Sequence, residues 1–233
     1  MEISIVIPVH NEEATIASQL KSLLEMIAQN GLDAEILLVD DNSTDNSGKI
    51  AEEISLIYPR LKVIHRKSEP GFGKALKAGT RQAVGKYIIW TMGDQSDDVQ
   101  TIPRMLVALR DGYDLVFGSR YMHGGSRGDA WFIKAFLSSC FTKLAKLLFG
   151  VEAHDITNAF RGFRKEVYDN IQLDYDDFSI SPEFSVKAQL KGYRLGEVPT
   201  TYINRKTGKS KFNIPKMMLK FARVYKYRFI KPK

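Results

Sequence analysis

Acidic and amide side chains follow three separate runs of apolar residues in the first half of the chain. The run 34–39 ends in Asp40 and Asp41, and the run 87–92 is followed closely by Asp94. The run 3–9 is followed by His10, Asn11, Glu12 and Glu13. Carboxylates are the hard oxygen ligands that Mg²⁺ and Mn²⁺ prefer. One acidic strand end would be explained as a helix N-cap, but three together indicate one shared site.

Amphipathic segments between these runs predict how the three clusters meet. Residues 14–28 and 47–57 carry apolar side chains at helical intervals, which predicts helices that return the chain for parallel strand pairing. The N-terminal half therefore reads β-α-β-α-β-α-β. In a doubly wound sheet with right-handed crossovers, the carboxyl ends of the strands gather on one rim. We expect the acidic clusters on that rim, beside a ligand.

Five motifs carry a resemblance to a known family. They are IVIPVHNEE at 5–13, VDDNSTD at 39–45, GFGKA at 71–75, GSRY at 118–121 and DITNAFR at 155–161. In this order they resemble the inverting nucleotide-sugar glycosyltransferases of family 2 with a GT-A fold. Within that family the motifs are similar to those of the polyprenyl-phosphate sugar synthases, which include the dolichol-phosphate mannosyltransferases.

The resemblance implies a fold, an activity and a cofactor. The fold is α/β of the GT-A class, a Rossmann-like, mostly parallel sheet flanked by helices, with amphipathic helices near a membrane. The activity is transfer of a hexose, mannose or glucose, from a GDP- or UDP-sugar to a polyprenyl phosphate, with Mg²⁺ or Mn²⁺ as cofactor. Two alternatives stay open: transfer to a sugar hydroxyl of a glycolipid or polysaccharide, and a noncatalytic nucleotide-sugar-binding membrane adaptor. A Rossmann dehydrogenase is disfavoured, because no Gly-x-Gly-x-x-Gly joins the first strand to its helix.

The resemblance also implies which residues bind the donor nucleotide. They are Pro8, Asn11, Glu12 and Asp41, with Asp40 in support, and Gly71, Gly73 and Lys74 of a glycine-containing loop. Glycines at the start of a helix permit close approach of the backbone to a nucleotide.

The metal motif departs from the family pattern. Most members carry Asp-x-Asp after the fourth strand, whereas this chain has Met92, Gly93 and Asp94. We expect Asp94 to be the metal ligand and Ser96 to contribute an oxygen atom or hold a water. Asp97 and Asp98 are further oxygen donors, or N-caps of a helix over 99–109.

A phosphate acceptor needs cations more than it needs a general base, because its oxygen is already deprotonated near neutral pH. By resemblance, the phosphate is bound by Arg120, Arg161, Arg205, Ser210 and Lys211, since arginine and lysine grip phosphate well. Asp155 orients an acceptor-side cation, or acts as a base if the acceptor is a hydroxyl. Asp94, Asp155, Arg120 and Arg161 are therefore the predicted catalytic residues. Glu183 is a weaker candidate, explained by the dipole of its helix.

Charge is distributed unevenly along the 233 residues. Residues 1–204, the predicted catalytic domain, have a net charge of −4, whereas residues 205–233 have a net charge of +11. This tail alternates cations with apolar residues, which predicts a basic acceptor loop and an amphipathic C-terminal helix at an anionic membrane surface. A solvated helix packed on the body is the alternative. No recognised nucleic-acid module precedes the tail, so no nucleic acid partner is expected.

A second amphipathic segment spans residues 131–149. Its predicted polar face repeats every four residues through Lys134, Ser138, Thr142 and Lys146. Its predicted apolar face contains Ile133, Phe136, Leu137, Cys140, Phe141, Leu144 and Leu148, with Cys140 as a small core residue. Periodicity alone does not distinguish a helix buried on the sheet from one on a lipid surface.

The N-terminus begins with a strand pattern rather than a signal peptide, and no apolar run is long enough to span a bilayer. We expect peripheral attachment to the cytoplasmic face of the membrane, either directly or through a separate transmembrane partner.

Overall fold

A seven-stranded sheet forms the centre of the protein, with strand order β3-β2-β1-β4-β6-β5-β7. The computed structural model describes residues 1–128, 132–203 and 214–230. The strands are β1 Ile3–Val9, β2 Ala34–Asp41, β3 Leu61–Arg66, β4 Tyr87–Trp90, β5 Leu115–Ser119, β6 Arg161–Arg164 and β7 Leu195–Pro199. Strand β6 is antiparallel to both its neighbours, and the other pairings are parallel. The mostly parallel GT-A sheet is therefore confirmed.

Helices cover both faces of this sheet. They are α1 Ile16–Gln29, α2 Ser47–Ser55, α3 Phe72–Gln82, α4 Ile102–Arg110, α5 Phe132–Phe149, α6 Lys165–Asp169, α7 Ile180–Leu190 and α8 Ile214–Ala222. A 3₁₀ helix, Arg223–Arg228, follows α8 directly. The predicted order of alternating strands and helices in the N-terminal half is confirmed.

Strands β1 and β2 are buried along their whole length, as continuous apolar runs predict for central parallel strands. Alternate residues of β1 face opposite layers: Ile5 packs with Leu20 of α1, whereas Val6 packs in the layer that contains Leu76 of α3. Gly79 of α3 permits close packing, since a Cβ there would lie 2.5 Å from Val6. Packing on both faces fixes the register and brings the carboxyl ends of the parallel strands to one rim.

The predicted helix over 99–109 is a 3₁₀ turn, Val99–Thr101, followed by α4. Asp98 caps this turn, because its Oδ1 accepts a hydrogen bond from the backbone N–H of Gln100 at 3.1 Å. The cap predicted for Asp98 is confirmed. Asp97 instead binds the end of β4, as described below.

Helix α5 packs on the body through a face that periodicity did not predict. Ser138 and Thr142, expected on the polar face, are buried, whereas Phe136, Cys140 and Leu144 of the expected apolar face are exposed. The prediction was wrong at Ser138 because its hydroxyl has a partner within the protein, the hydroxyl of Thr157 at 2.5 Å. The inward face is completed by Ala135, Phe141, Ala145 and Phe149.

The C-terminal segment, residues 214–230, packs on the body of the protein. Its buried side chains Met217, Phe221, Val224 and Tyr227 join the layer formed by α3, α5 and α7. The predicted single helix is α8 followed by the 3₁₀ helix. Across the described ranges, no helix combines the length and apolar character needed to cross a membrane.

Candidate functional site

A cavity of about 400 Å³ opens at the rim where β1, β2, β4 and β5 end. Its polar side is lined by Pro8, Val9, His10, Glu12, Asp41, Gly71, Met92, Asp94, Ser96, Asp97 and Arg120. Its other side is lined by Pro70, Phe72, Tyr121, Leu137, Ser138, Thr157, Asn158, Ala159, Phe178, Tyr202, Met218 and Phe221. The three acidic strand ends therefore share one cavity, as the sequence predicted.

Asp41 anchors the polar side of this cavity. Its carboxylate pairs with Arg66 and accepts a hydrogen bond from the backbone N–H of Gly71 at 2.6 Å. Nδ1 of His10 lies 2.9 Å from the backbone carbonyl oxygen of Asp41, so β1 and β2 are tied together at the rim. Pro8 and Glu12 line the same wall.

Asn11 and Asp40 hold the turn that follows β2. Oδ1 of Asn11, whose φ is +56°, accepts a hydrogen bond from the backbone N–H of Thr44 at 2.7 Å. Asp40 accepts from the backbone N–H of Ser43 and contacts Nδ1 of His65 at 2.9 Å. Neither Asn11 nor Asp40 is among the lining residues. Asp40, predicted to support the nucleotide pocket, holds the turn after β2 through these contacts.

The glycine-containing loop, residues 71–75, packs directly against another part of the chain. The N–H of Gly73 donates to the carbonyl oxygen of Asp176 at 2.8 Å, and a Cβ at Gly73 would lie 2.7 Å from the backbone of Asp176. The predicted role of Gly73 in approaching the nucleotide is corrected: its close neighbour is the chain itself. Gly71 lines the cavity, whereas Lys74 pairs with the exposed Glu69 at 3.4 Å.

Asp94, Ser96 and Asp97 form the acidic wall after β4. Oδ1 of the buried Asp94 accepts the N–H of Ser96 at 3.0 Å. Asp97 accepts the N–H of Met92 at 2.9 Å and the hydroxyl of Thr91 at 3.1 Å, so it fixes the end of the strand. Burial raises the pKa of Asp97 to about 7, and the nearby charge of Asp94 adds to this rise.

Arg120 faces this acidic wall from the end of β5. Its Nε and Nη2 donate to the fully buried carboxylate of Asp155 at 2.6 and 2.9 Å. Although burial alone would lower the pKa of Arg120, the charge of Asp155 and these bonds raise it overall. Arg120 therefore stays cationic in the cavity wall, and Asp155 lies behind it as its counter-ion.

The structure does not bring Arg161 into the cavity. Its guanidinium is fully buried and donates to the carbonyl oxygens of Ser181, Ile156 and Asn158, at 2.7 Å for Ser181. Burial lowers its pKa to about 9. Its predicted role in binding the acceptor phosphate is therefore wrong, because the guanidinium is fully buried and both of its Nη atoms are bonded within the protein, to these carbonyl oxygens and to the hydroxyl of Ser185. Arg205, Ser210 and Lys211 lie outside the described residues.

The apolar side of the cavity joins distant parts of the chain. Leu137 comes from α5, Phe178 precedes α7, and Met218 and Phe221 come from α8. Phe178 stacks on Phe72 of the glycine-containing loop, with ring centroids 4.1 Å apart. Sequence reasoning missed this wall, because apolar periodicity indicates a helix face without indicating what it faces.

Glu183 is buried and contacts several neighbouring residues through its carboxylate. Its Oε1 accepts the N–H of Asp174 at 2.8 Å, its Oε2 accepts the N–H of Tyr175 at 3.0 Å, and Lys187 lies 2.9 Å from Oε1. The explanation by helix dipole alone is corrected, because the carboxylate has specific partners. Glu183 is not a lining residue of the cavity.

Known proteins share this sequence pattern and fold. Residues 4–172 match the family described as "Glycosyl transferase family 2". The chain is 32% identical to a polyprenol monophosphomannose synthase of Mycolicibacterium smegmatis, over 94% of this chain and 84% of that protein. It is also 32% identical to a dolichol-phosphate mannosyltransferase of Pyrococcus furiosus, over 91% of this chain and 59% of that protein.

The chain also resembles a relative of lower sequence identity and a protein of known structure. An undecaprenyl-phosphate mannosyltransferase of Micrococcus luteus is 27% identical, over 91% of this chain and 88% of that protein. A glucosyl-3-phosphoglycerate synthase of Mycobacterium tuberculosis, solved with Mn²⁺ and UDP-glucose, superposes with a TM-score of 0.75. It is 17% identical, covering 100% of this chain and 80% of that structure, so it shows the fold. With its GT-A fold and its family match over most of its length, this chain is a transferase that belongs to glycosyl transferase family 2.

Proposed function

We propose that this enzyme transfers a hexose from a GDP- or UDP-sugar to a polyprenyl phosphate, with inversion at the anomeric carbon. One observation carries the proposal: a single cavity runs from the acidic wall of Asp41 and Asp94, past Arg120, to an apolar wall that contains Leu137 and Phe221. A nucleotide sugar matches the first part and a lipid phosphate the second. The relatives are named as two mannosyltransferases and a polyprenol monophosphomannose synthase, which supports mannose before glucose.

Divalent metal use is supported by the chemistry of the acidic wall and by the metal-bound structural neighbours. Asp94 and Ser96 offer hard oxygen atoms in the cavity, which fit Mg²⁺ or Mn²⁺. Within the described ranges, no three or more His, Cys, Asp or Glu residues form a complete metal site. Asp94 and Ser96 would hold such a cation together with oxygen atoms from outside the protein, for which a donor diphosphate is suited. When bound, the cation neutralises the charge that develops on the leaving diphosphate.

The acceptor phosphate supplies its own nucleophile. One of its oxygen atoms forms a bond to the anomeric carbon while the bond from that carbon to the donor phosphate oxygen breaks, and the nucleoside diphosphate leaves. Arg120 orients the acceptor phosphate through its positive charge, and Asp155 holds the guanidinium in place. Asp155 is not needed as a base, since no proton has to be removed.

The reaction takes place at a membrane surface, where the lipid acceptor resides. Helix α5 has an exposed apolar strip, defined here as Phe136, Cys140, Leu144 and Leu147, and the exposed Lys143 lies among these residues. An apolar strip with cations suits an anionic lipid surface. We propose peripheral attachment on the cytoplasmic side, with a separate transmembrane partner as the alternative route to the membrane.

The test is transfer of radiolabelled sugar from GDP- and UDP-sugars to short polyprenyl phosphates, and in parallel to glycolipids with free sugar hydroxyls, in detergent with Mg²⁺, Mn²⁺ or EDTA. Asp94→Asn is compared with Asp111→Asn, a matched change on the exposed loop after α4. Metal-dependent product that is lost only in Asp94→Asn supports the proposal. Product only on sugar hydroxyls favours the alternative transferase, and donor binding without any product favours the noncatalytic adaptor.

A further inference from the structure

The apolar wall of the cavity depends on the C-terminal segment, residues 214–230. This segment lies beyond the matched family region, which ends at residue 172. It contributes Met218 and Phe221 to the cavity. Phe221 also packs against Phe141 of α5, with ring centroids 5.5 Å apart. Where the segment sits therefore decides the shape of the apolar part of the cavity.

A tyrosine clasp fixes the end of this segment to α7. The clasp consists of Tyr227, Asp174, Glu183 and Lys187. The hydroxyl oxygen of Tyr227 lies 2.6 Å from Oδ2 of Asp174 and 2.8 Å from Oε1 of Glu183. Nζ of Lys187 lies 2.9 Å from the same Glu183 oxygen and 3.0 Å from the same Asp174 oxygen. Glu183 is fully buried and Lys187 is almost so.

Burial makes the hydroxyl of Tyr227 important to the clasp. Burial and the two neighbouring carboxylates raise the pKa of Tyr227, so the phenol keeps its proton as a donor. Without this hydroxyl, Oε1 of the fully buried Glu183 would lose one of its hydrogen-bond donors, which is unfavourable. The satisfied clasp therefore favours one position of the segment.

Both oxygen atoms of Glu183 hold the loop before α7, and one of them also contacts the C-terminal segment. Oε1 accepts the backbone N–H of Asp174 and contacts Tyr227, and Oε2 accepts the backbone N–H of Tyr175. The loop that contains Tyr175 continues to Asp176, which packs against Gly73 on the donor side. Loss of the Tyr227 hydroxyl leaves both backbone hydrogen bonds of this loop in place and acts on the C-terminal segment, whereas a change at Glu183 weakens the contacts of the loop and of the segment together.

We propose that Tyr227 is a positioning residue for the acceptor: its hydroxyl holds the C-terminal segment so that Met218 and Phe221 form the wall against which the polyprenyl chain packs. This inference rests on the proposed function, because it assumes a lipid phosphate acceptor. Tyr227 does not touch the reacting atoms, so it acts on acceptor binding and leaves the chemical step unchanged.

The experiment measures steady-state kinetics of Tyr227→Phe, Glu183→Gln and a control, Tyr58→Phe, whose side chain is exposed after α2. For Tyr227→Phe we expect the KM for polyprenyl phosphate to rise about tenfold, as expected for one lost hydrogen bond to charged groups. Its kcat and its KM for the nucleotide sugar should match the wild type. Glu183→Gln should raise both KM values, and Tyr58→Phe neither.

The possible failures can be told apart. If the wild type transfers sugar to polyprenyl phosphate and Tyr227→Phe keeps the wild-type acceptor KM, the positioning role is wrong while the proposed function stands. An equal rise of donor and acceptor KM in Tyr227→Phe also overturns the role, because it indicates general loosening. If the wild type transfers nothing to any polyprenyl phosphate, the proposed function fails and the inference fails with it.

Discussion

At the scale of single residues, the cavity combines buried charges of both signs. Arg120 is the cation of the described cavity lining, and its partner Asp155 has no exposed surface. Removing one member of such a pair leaves the other as an uncompensated buried charge, which is costly. The pair therefore affects stability through the balance of its two charges, and activity through the positive charge of Arg120. Mutation can separate these two effects.

Arg120→Met should destabilise the fold by about 3–5 kcal/mol, because Asp155 is left buried without its counter-ion. The double variant Arg120→Met with Asp155→Leu should recover most of this stability, since no lone charge remains. Both variants should lose transferase activity. Urea unfolding and a transfer assay measure the two properties. A double variant as unstable as the single one would contradict the paired-charge explanation.

Asp97 predicts a dependence of stability on pH. Its pKa is raised from 3.8 to about 7, so folding favours its protonated form. The stability from this group is fully present below about pH 4 and is lost as the pH rises through about 7. Asp97→Asn should remove this fall while keeping oxygen and shape. Unfolding curves of both proteins from pH 4 to 8 in EDTA test this, and parallel pH profiles would contradict it.

At the scale of elements, the donor-side loop and the loop before α7 are packed backbone to backbone. Gly73→Ala should destabilise the protein by about 1–3 kcal/mol, because its Cβ would collide with the backbone of Asp176. Gly71→Ala should cost less, because its Cβ would lie 3.1 Å from the carbonyl oxygen of Asp176 and from the flexible side chain of Lys74, a looser contact than the 2.7 Å at Gly73. Thermal unfolding measures both. Equal losses would show that the closer approach to Asp176 at Gly73 is not the cause.

The elements also show what the sequence could predict. Long apolar runs followed by acidic residues predicted β1, β2, β4 and the rim. A buried parallel strand can be recognised from its own sequence, without knowledge of its neighbours. The inward face of α5 could not be predicted from the sequence of the helix. Ser138 is buried because Thr157, distant in sequence, supplies its hydrogen-bond partner. The burial of Arg161 likewise depends on carbonyl groups of other elements.

At the scale of the whole molecule, the exposed strip of α5 predicts how the protein meets a membrane. Leu144→Ser with Leu147→Ser should reduce binding to anionic vesicles about tenfold or more, because two exposed leucines no longer enter the lipid. Stability should change little. Val107→Ser is the control, as it is exposed on α4 in the opposite layer. Vesicle sedimentation measures binding, and equal binding by all three proteins would exclude the strip.

The reversed direction of β6 divides the rim into two halves. Arg161 pairs with Trp90 and Phe117, so β6 starts where its neighbours end. The donor-side motifs therefore follow their strands, whereas the motif at 155–158 precedes its strand. Together with β5, α5 and the C-terminal segment, that motif forms a block that follows the donor-binding half in chain order. Recombination between relatives at one point after residue 98 must therefore preserve the contacts of Asp176 and Phe178 with Gly73 and Phe72, which join the two parts of the chain.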